Sequence, residues 1–189
     1  TLQIMKKFKL PLLLLFVFLF SEAFSFDNIK KDKKTIINSI ESHKDKLIEI
    51  SDNIWEAAEP ALLEFKSSKY LSDYAEENGF KVTKGVAEIP TAFVAEYGSG
   101  RPIIGIMGEF DANPGISQKK QPTKEPLVKG AAGHGCGHNL FGTASLGAAI
   151  AIKEMIESGE ISGTVRFYGT PAEETIFAKV WMVRAGLFD

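Results

Sequence analysis

The segment RPIIGIMGEFDA, residues 101–112, combines a nearly continuous apolar run with acidic residues at its carboxyl end. The isoleucines and methionine at positions 103, 104, 106 and 107 are typical of a strand buried on both faces, which predicts an internal strand of an α/β sheet. Ligands of open α/β sheets bind outside the carboxyl ends of the strands. Glu109 and Asp111 are therefore candidate site residues, although Asp111 could equally begin a turn that ends at Gly115.

Helical patterns precede this strand. Apolar residues at helical spacing between Ile36 and Ile54 predict one amphipathic helix, with His43 among charged residues on its solvated face. A second helix is predicted to begin near Phe65 and to end at Gly79, which supplies its carboxyl-terminal cap. The residues that this helix is expected to bury are Leu71, Tyr74 and Ala75.

Strand patterns begin at Phe80 and Thr91, and two of the three strands predicted so far are expected to form a hairpin. After a polar loop over residues 113–130, a third helix is predicted, capped by Asn139 and ended by Gly159. Small residues should let this helix lie close against the sheet; they are Gly142, Ala144, Ala148 and Ala151. These elements predict an α/β fold, a three-layer arrangement of a sheet with flanking helices.

The amino terminus differs in composition from the rest of the chain. MKKFK, residues 5–9, is basic, and LPLLLLFVFLF, residues 10–20, is apolar, which is the order found in a signal peptide. We expect residues 1–25 to be removed after Ala23 or Ser25 and the protein to be exported, with residues 1–4 an artefact ahead of Met5. The alternative is a membrane anchor, but the apolar run is shorter than the roughly 20 residues that a spanning helix needs, so no stable anchor is expected.

The loop GHGCGHN, residues 133–139, brings His134, Cys136 and His138 together at alternating positions. An extended loop would direct the three side chains the same way, and a helix N-terminus would lower the pKa of the thiol. Imidazole and thiolate ligands together suit zinc or a similar transition metal. Two alternatives stay open: a buried Cys136 that acts as a small apolar residue, and a glycine-rich phosphate loop, which would lack the usual Lys-Ser/Thr pair.

The segment GTVRFYGTPAEET, residues 163–175, predicts a strand that leads to adjacent carboxylates at Glu173 and Glu174. One of them could bind a cation while the other accepts a proton from water. The alternative is a solvated helix start, where acidic residues are common. The net charge of −2 and the absence of a basic stripe exclude nucleic acid as the main partner and favour a small molecule or peptide.

HGCGHN, GTPAEE and KVWMVRAGLFD, in this order, resemble the M20 family of metallo-amidohydrolases and peptidases, in particular its aminobenzoyl-glutamate utilisation protein B type. The resemblance covers about residues 103–189 and implies a zinc-peptidase catalytic domain of the phosphorylase/hydrolase-like class. It also implies a centre of two divalent ions, zinc or manganese. In that pattern the metal ligands are Cys136, His138 and Glu174, the general base is Glu173, and the supporting residues are Glu109, Asp111 and His134.

The function implied by this resemblance is hydrolysis of an amide bond in an N-acyl amino acid or small peptide by a metal-activated water. Residues 26–189 would be the amino-terminal part of the catalytic domain, followed in the full-length protein by a lid domain that forms a homodimer. Three ligands are few for two ions, so we expect this chain alone to be inactive. Two other functions remain open: a metal-binding relative without activity, and a thiol-dependent hydrolase that uses Cys136 as nucleophile.

Overall fold

A computed structural model describes the backbone of residues 2–189 and the side chains of residues 29–189. The first helix, α1, spans Leu2–Ala57. Residues 1–38 form one compact unit and residues 39–189 form a second, and the description below concerns the second unit. The predicted signal peptide lies outside the residues with described side chains and stays a prediction. Across the described part of the chain, no helix has both the length and the apolar character to cross a bilayer.

The second unit is built on a mixed four-stranded sheet in the order β1-β2-β4-β3. The strands are β1 Lys81–Lys84, β2 Phe93–Ser99, β3 Ile103–Gly108 and β4 Gly163–Gly169. The first two pair antiparallel, which confirms the predicted hairpin. Strand β4 pairs antiparallel with β2 and parallel with β3. The carboxyl ends of β3 and β4 therefore meet at the same edge of the sheet.

The position of β3 corrects one expectation. This strand was predicted to be internal and buried on both faces, but it lies at the edge of the four-stranded sheet. Its apolar side chains are exposed as a result: Ile103 by 39%, Ile104 by 48% and Met107 by 44%. The reason is the pairing of β4, which lies between β2 and β3, while no further strand among the described residues pairs with the outer edge of β3. The central, almost wholly buried strand is β4.

Three helices pack on one face of the sheet around the larger of two apolar clusters. Helix α2 spans Phe65–Glu77 and α3 spans His138–Glu157, and both contribute apolar residues together with the last turns of α1. The core includes Leu47, Ile50, Ile54, Leu71, Phe93, Phe110, Leu146, Ile150, Val165 and Phe167. On the opposite face Tyr168 packs against Phe188, with ring centroids 4.8 Å apart and ring planes tilted by 45°. This arrangement confirms the predicted α/β class with helices flanking a sheet.

Close packing of α3 depends on glycine more than on alanine. A side chain at Gly142 would collide with the carbonyl oxygen of Glu109, so the helix can approach the end of β3 only with glycine at this position. Gly147 lies in the same way against Leu47. Ala151 is buried, as predicted, whereas Ala144 is exposed, so the prediction for Ala144 is wrong.

The predicted cap of α3 is also corrected. The N-cap is Gly137, in the left-handed conformation with φ of 90°, and Asn139 lies within the first turn of the helix. The side chain of Asn139 is buried and donates to the hydroxyl of Ser51 on α1 at 3.1 Å. It binds a neighbouring helix because the left-handed Gly137 already turns the chain into α3.

His43 was expected to be a solvated surface residue, and it is not. Its side chain is only 19% exposed and bridges the other two helices. Nδ1 lies 2.6 Å from the hydroxyl of Tyr74 on α2, and Nε2 lies 2.9 Å from Oε1 of Glu154 on α3. His43 therefore connects α1, α2 and α3 through polar contacts at the edge of the core.

Two short helices complete the chain after β4. Helix α4 spans Glu173–Ile176 and α5 spans Ala178–Arg184, with the left-handed residue Phe177 between them. A second, smaller apolar cluster, composed of Ile89, Ala92, Ala172 and Ala178, packs beneath this turn. It anchors the segment that carries the acidic pair.

Candidate metal centre

The candidate site lies where β3 and β4 end and α3 begins. Glu109 and Asp111 follow β3, Glu173 and Glu174 follow β4, and His138 is the first residue of α3. The parallel pairing of β3 with β4 brings these acidic residues to one edge of the sheet. The prediction that ligands collect at the carboxyl ends of the strands agrees with this arrangement.

The loop that carries Cys136 is held by backbone contacts with the segment after β3. Asn113 and Gly133 exchange two backbone hydrogen bonds of 3.0 Å each. The side-chain oxygen of Asn113 accepts from the backbone N–H groups of Gly135 and Cys136, both at 3.3 Å. Asn113 therefore orients the turn that presents Cys136. The sequence offered only a turn signal at this position and no sign of this role.

Cys136, His138 and Glu174 come together at this edge. One possible ligand atom from each residue lies within 4.8 Å of the other two, a spacing that could hold a metal ion. A thiol, an imidazole and a carboxylate form a donor set that suits zinc and similar transition ions. In addition, Oε1 of Glu174 is buried without a hydrogen-bond partner. A buried carboxylate oxygen normally has a partner, so the residues present fit a bound cation.

Asp111 fixes the orientation of His138. The Nδ1–H of His138 donates to Oδ1 of Asp111 at 3.0 Å, and the second oxygen of Asp111 accepts from the backbone N–H of Glu174 at 2.9 Å. Both side chains are buried. Because Nδ1 is engaged with Asp111, Nε2 is the nitrogen of His138 that faces the acidic residues, and it could bind a cation once it carries no proton. The support predicted for Asp111 agrees with these contacts.

The charges of this pair follow from their contact. Burial alone would raise the pKa of Asp111, but the hydrogen bonds from His138 and from backbone N–H groups lower it below its usual value. Burial alone would lower the pKa of His138, but Asp111 and the carboxylates of Glu109 and Glu174 raise it. Asp111 is therefore held as a carboxylate, and the imidazole of His138 binds a second proton more readily than a free histidine does.

Cys136 contradicts one alternative and one expectation. Its side chain is exposed, so the alternative of a buried Cys136 that acts as a small apolar residue is wrong. The helix N-terminus was expected to lower the pKa of the thiol, but partial desolvation and the nearby carboxylates, chiefly Glu174, raise it. Desolvation and the negative charges of these acidic residues both disfavour the thiolate. A thiolate at this position would therefore need a cation beside it.

Glu109 and Glu173 complete the acidic surface. Oε2 of Glu109 lies 3.4 Å from Nε2 of His138, and the other oxygen of Glu109 pairs with the ammonium of Lys179 on α5. Oε2 of Glu173 lies 3.9 Å from the same His138 nitrogen, and the Glu173 side chain is 32% exposed. Glu173 is therefore accessible from solvent, whereas Glu109 is held in place by Lys179. No role had been predicted for Lys179.

His134 does not join the other two residues of the loop. Its Nε2–H donates to the backbone carbonyl of Ile54 at 3.1 Å, and its other nitrogen, Nδ1, is buried without a partner. Burial lowers the pKa of His134, which keeps it neutral. The expectation that alternating positions would direct all three side chains alike is wrong, because the loop turns at the bridge to Asn113 and again at Gly137. His134 ties the loop to the end of α1.

Comparison with known proteins gives the site its context. A family model described as "Peptidase family M20/M25/M40" matches residues 105–189. One subunit of the p-aminobenzoyl-glutamate hydrolase of Escherichia coli K12 is 46% identical over 157 residues, which are 82% of this chain and 32% of that protein. The Xaa-Arg dipeptidase of Mus musculus is 28% identical over 83% of this chain and 36% of its own length. The chain thus spans about a third of these curated relatives.

A solved structure shares the fold. The YXEP protein of Bacillus subtilis, described as a dinuclear metal-binding peptidase from the M20 family, superposes with a TM-score of 0.62 at 25% identity. The alignment covers 77% of this chain and 41% of that protein.

Proposed function

Because the chain belongs to the peptidase family M20/M25/M40, we propose that it hydrolyses an amide bond of an N-acyl amino acid or small peptide with the help of bound divalent ions. The single observation that carries this proposal is the cluster of Cys136, His138 and Glu174 within 4.8 Å. A second carboxylate, Glu173, directly precedes one of these candidate ligands. A cluster of this kind supplies both a place for a cation and a neighbouring group that can move a proton.

Cys136, His138 and Glu174 are the residues that would hold the ions, which we propose to be zinc or manganese. Bound there, a divalent ion would polarise the substrate carbonyl and make water more acidic. The description of the Bacillus subtilis neighbour as dinuclear supports two ions. Three protein groups are fewer than two ions usually need, so the proposal requires at least one more protein ligand.

Glu173 is the proposed general base. Its carboxylate is partly exposed and lies 3.9 Å from Nε2 of His138, so it can reach a water held at the same edge of the sheet. Oε2 of Glu173 would accept the proton of the attacking water and then deliver it to the nitrogen of the leaving amine. Asp111 would keep the Nδ1 proton on His138 throughout, and Lys179 would hold Glu109 in place beside the site.

The proposed substrate class follows from the Escherichia coli relative, whose name gives p-aminobenzoyl-glutamate as its substrate. We therefore choose p-aminobenzoyl-glutamate as the test substrate, a small molecule whose amide joins an aromatic acid to an amino acid.

The experiment measures release of p-aminobenzoate by the natural gene product that contains this sequence. Treatment with a chelator should abolish hydrolysis, and Zn²⁺ or Mn²⁺ should restore it. Glu173→Gln should lower kcat by about 10²-fold or more, since the amide cannot accept a proton. Glu49→Gln, an exposed glutamate paired with Lys46 on α1, is the matched control and should leave the rate unchanged.

Two outcomes would instead support the other functions. Hydrolysis that survives chelation but is lost in Cys136→Ser would indicate a thiol nucleophile. Metal binding without hydrolysis of any N-acyl amino acid would indicate a metal-binding protein without activity. The acidic surroundings of Cys136 favour a cation over a free thiolate.

A further inference from the structure

A fully buried carboxylate, Glu64, lies outside the set of acidic residues that the site uses. Its side chain is 0% exposed, at the N-cap position of α2. An N-cap side chain normally accepts hydrogen bonds from the first turn of its own helix, but Glu64 makes no such bond. The carboxylate of Glu59 takes that role, accepting from the backbone N–H groups of Lys66 at 3.0 Å and Ser67 at 2.8 Å. The side chain of Glu64 is therefore available for another contact.

That contact is with the turn before the acidic pair. Oε1 of Glu64 accepts from the backbone N–H of Ala172 at 2.8 Å, and Oε2 accepts from the hydroxyl of Thr91 at 3.0 Å. Ala172 is completely buried and precedes Glu173 directly. Its backbone is left-handed, with φ of 55° and ψ of 35°, a conformation that residues other than glycine rarely adopt. An unfavourable conformation persists only where surrounding contacts impose it.

The acidic turn is thus held on both sides of Glu173. Ala172 is bound to Glu64, and the backbone N–H of Glu174 is bound to Asp111 at 2.9 Å. The conformation of Ala172 sets the direction in which the chain leaves β4, and hence where Glu173 and Glu174 point. Asp111 belongs to the site already described, whereas Glu64 precedes α2 and binds the residue on the amino-terminal side of Glu173.

We propose that Glu64 is a positioning residue, which holds Ala172 in its left-handed conformation and so aims Glu173 and Glu174 at His138 and Cys136. This inference rests on the proposed hydrolysis for the effect on Glu173, and on the candidate ligand cluster for the effect on Glu174. Glu64 itself touches neither the substrate nor the ligand cluster.

The test compares four single variants of the natural gene product and the double variant Glu64→Ala/Ala172→Gly. Glu64→Ala removes both acceptor oxygens, whereas Glu64→Gln keeps an oxygen for Ala172 and an amide that can donate to Thr91. Thr91→Val, the matched control, removes only the hydroxyl and leaves the bond to Ala172. Ala172→Gly makes the left-handed conformation easy even without the hydrogen bond that residue 172 donates to Glu64.

Two quantities are measured for each variant: kcat and KM for p-aminobenzoyl-glutamate, and Co²⁺ affinity with the thiolate-to-cobalt absorption band. We expect Glu64→Ala to lower kcat by about tenfold or more with little change in KM, because only the reacting geometry is lost. Co²⁺ should bind more weakly with an altered band. Glu64→Gln and Thr91→Val should retain both properties, and Glu64→Ala should lose less in the Ala172→Gly background.

A structural role alone predicts a different pattern. Glu64→Ala would then lower only the thermal midpoint and leave kcat and the Co²⁺ band unchanged, which would overturn the proposal, as would equal losses in Glu64→Gln and Glu64→Ala. If Glu64→Ala does not fold, Glu64→Asp takes its place with the same expected losses, since it withdraws the carboxylate by one methylene. Absence of hydrolysis in the unmodified protein would contradict the proposed function only, because the Co²⁺ measurement would still test Glu64.

Discussion

His138 donates its Nδ1–H to Oδ1 of Asp111 across 3.0 Å, with both side chains buried. This contact leaves Nε2 of His138 directed toward Glu109, Glu173 and Glu174. The same Asp111 accepts from the backbone N–H of Glu174. One aspartate therefore orients two of the three candidate ligands, although they come from different elements of the fold.

Asp111→Asn should weaken metal binding by about 10- to 100-fold, the range found when a residue that orients a metal ligand is changed. The amide keeps the size of the carboxylate, but one of its two ends becomes a donor. The NH2 end cannot accept a hydrogen bond, so either the contact with His138 or the contact with the backbone N–H of Glu174 is lost. Competition with a chromophoric zinc chelator measures the change. Asp73→Asn, a partly exposed aspartate paired with Lys69 and Lys84, is the control; equal affinities in the two variants would contradict the role of Asp111.

The candidate ligands and the candidate base should respond differently to substitution. Each candidate ligand is replaced in turn, by Cys136→Ser, His138→Ala or Glu174→Gln. Each substitution removes a thiolate, an imidazole or a carboxylate that could bind the metal and should lower the metal content of the purified protein. Glu173→Gln should keep the metal content close to that of the unmodified protein while turnover is lost. Elemental analysis beside an assay of p-aminobenzoyl-glutamate hydrolysis decides between them. Loss of metal in Glu173→Gln, with metal retained in Glu174→Gln, would reverse the two assignments.

Asn113→Ala should weaken metal binding through the loop that carries Cys136. The side-chain oxygen of Asn113 accepts from the N–H groups of Gly135 and Cys136, each at 3.3 Å, and alanine supplies no acceptor. We expect a loss of about three- to tenfold in Zn²⁺ affinity, the net effect of losing two long hydrogen bonds to one shared acceptor. Asn113→Asp keeps the acceptor and should retain the affinity. If alanine and aspartate at this position behave alike, the side chain does not orient the loop.

Much of the fold follows from local patterns. The apolar spacing predicted α2 and the end of α1, and the strand patterns agree with β1, β2 and β3, since each depends on neighbouring residues in the sequence. The edge position of β3 could not be predicted in this way. Its apolar run, Ile103 to Met107, reports hydrophobicity but not which strand pairs with it. The insertion of β4 between β2 and β3 depends on pairing between distant segments.

The candidate site, like the fold, was predictable only where its residues belong to local sequence motifs. Cys136 and His138 were predicted because their side chains carry metal-binding chemistry in a recognisable loop, and Glu174 was assigned as a ligand through the family resemblance. The structure brings the three together. The residues that hold them were missed. Asn113 acts on Gly135, 22 positions away, and Glu64 acts on Ala172, 108 positions away, so neither role leaves a local pattern.

His43→Ala should lower the free energy of unfolding by about 1–2 kcal/mol, the net value of two hydrogen bonds. The contact to Tyr74 contributes more than the contact to Glu154, whose side chain is 37% exposed and partly screened by water. Chemical denaturation at neutral pH measures the change. Lys44→Ala, an exposed neighbour paired with Glu41, should cost far less; equal losses in both variants would mean that the network of His43 adds nothing to stability.

Glu64 should make the stability of the protein fall as pH rises. Burial raises the pKa of Glu64 above its usual value, against the opposing effects of its hydrogen bonds from Thr91 and Ala172. The folded protein therefore binds a proton on Glu64 more tightly than the unfolded chain does. Between the unfolded and folded pKa values the folded state holds more protons, so the free energy of unfolding decreases with increasing pH across that interval. Above the folded pKa the full penalty of burying a charged carboxylate is present.

Glu64→Gln removes this titration while an amide oxygen still accepts from Ala172. The variant should be more stable than the unmodified protein at neutral pH, and the difference should shrink as the pH falls toward the unfolded pKa of a glutamate, where the carboxyl group is protonated in both states. Denaturant unfolding of the two proteins at several pH values between about 4 and 8 measures the difference. A constant difference across this range would show that the charge of Glu64 does not limit stability. A difference that grows at low pH would show that the carboxylate, and not the neutral acid, is the form that the fold prefers.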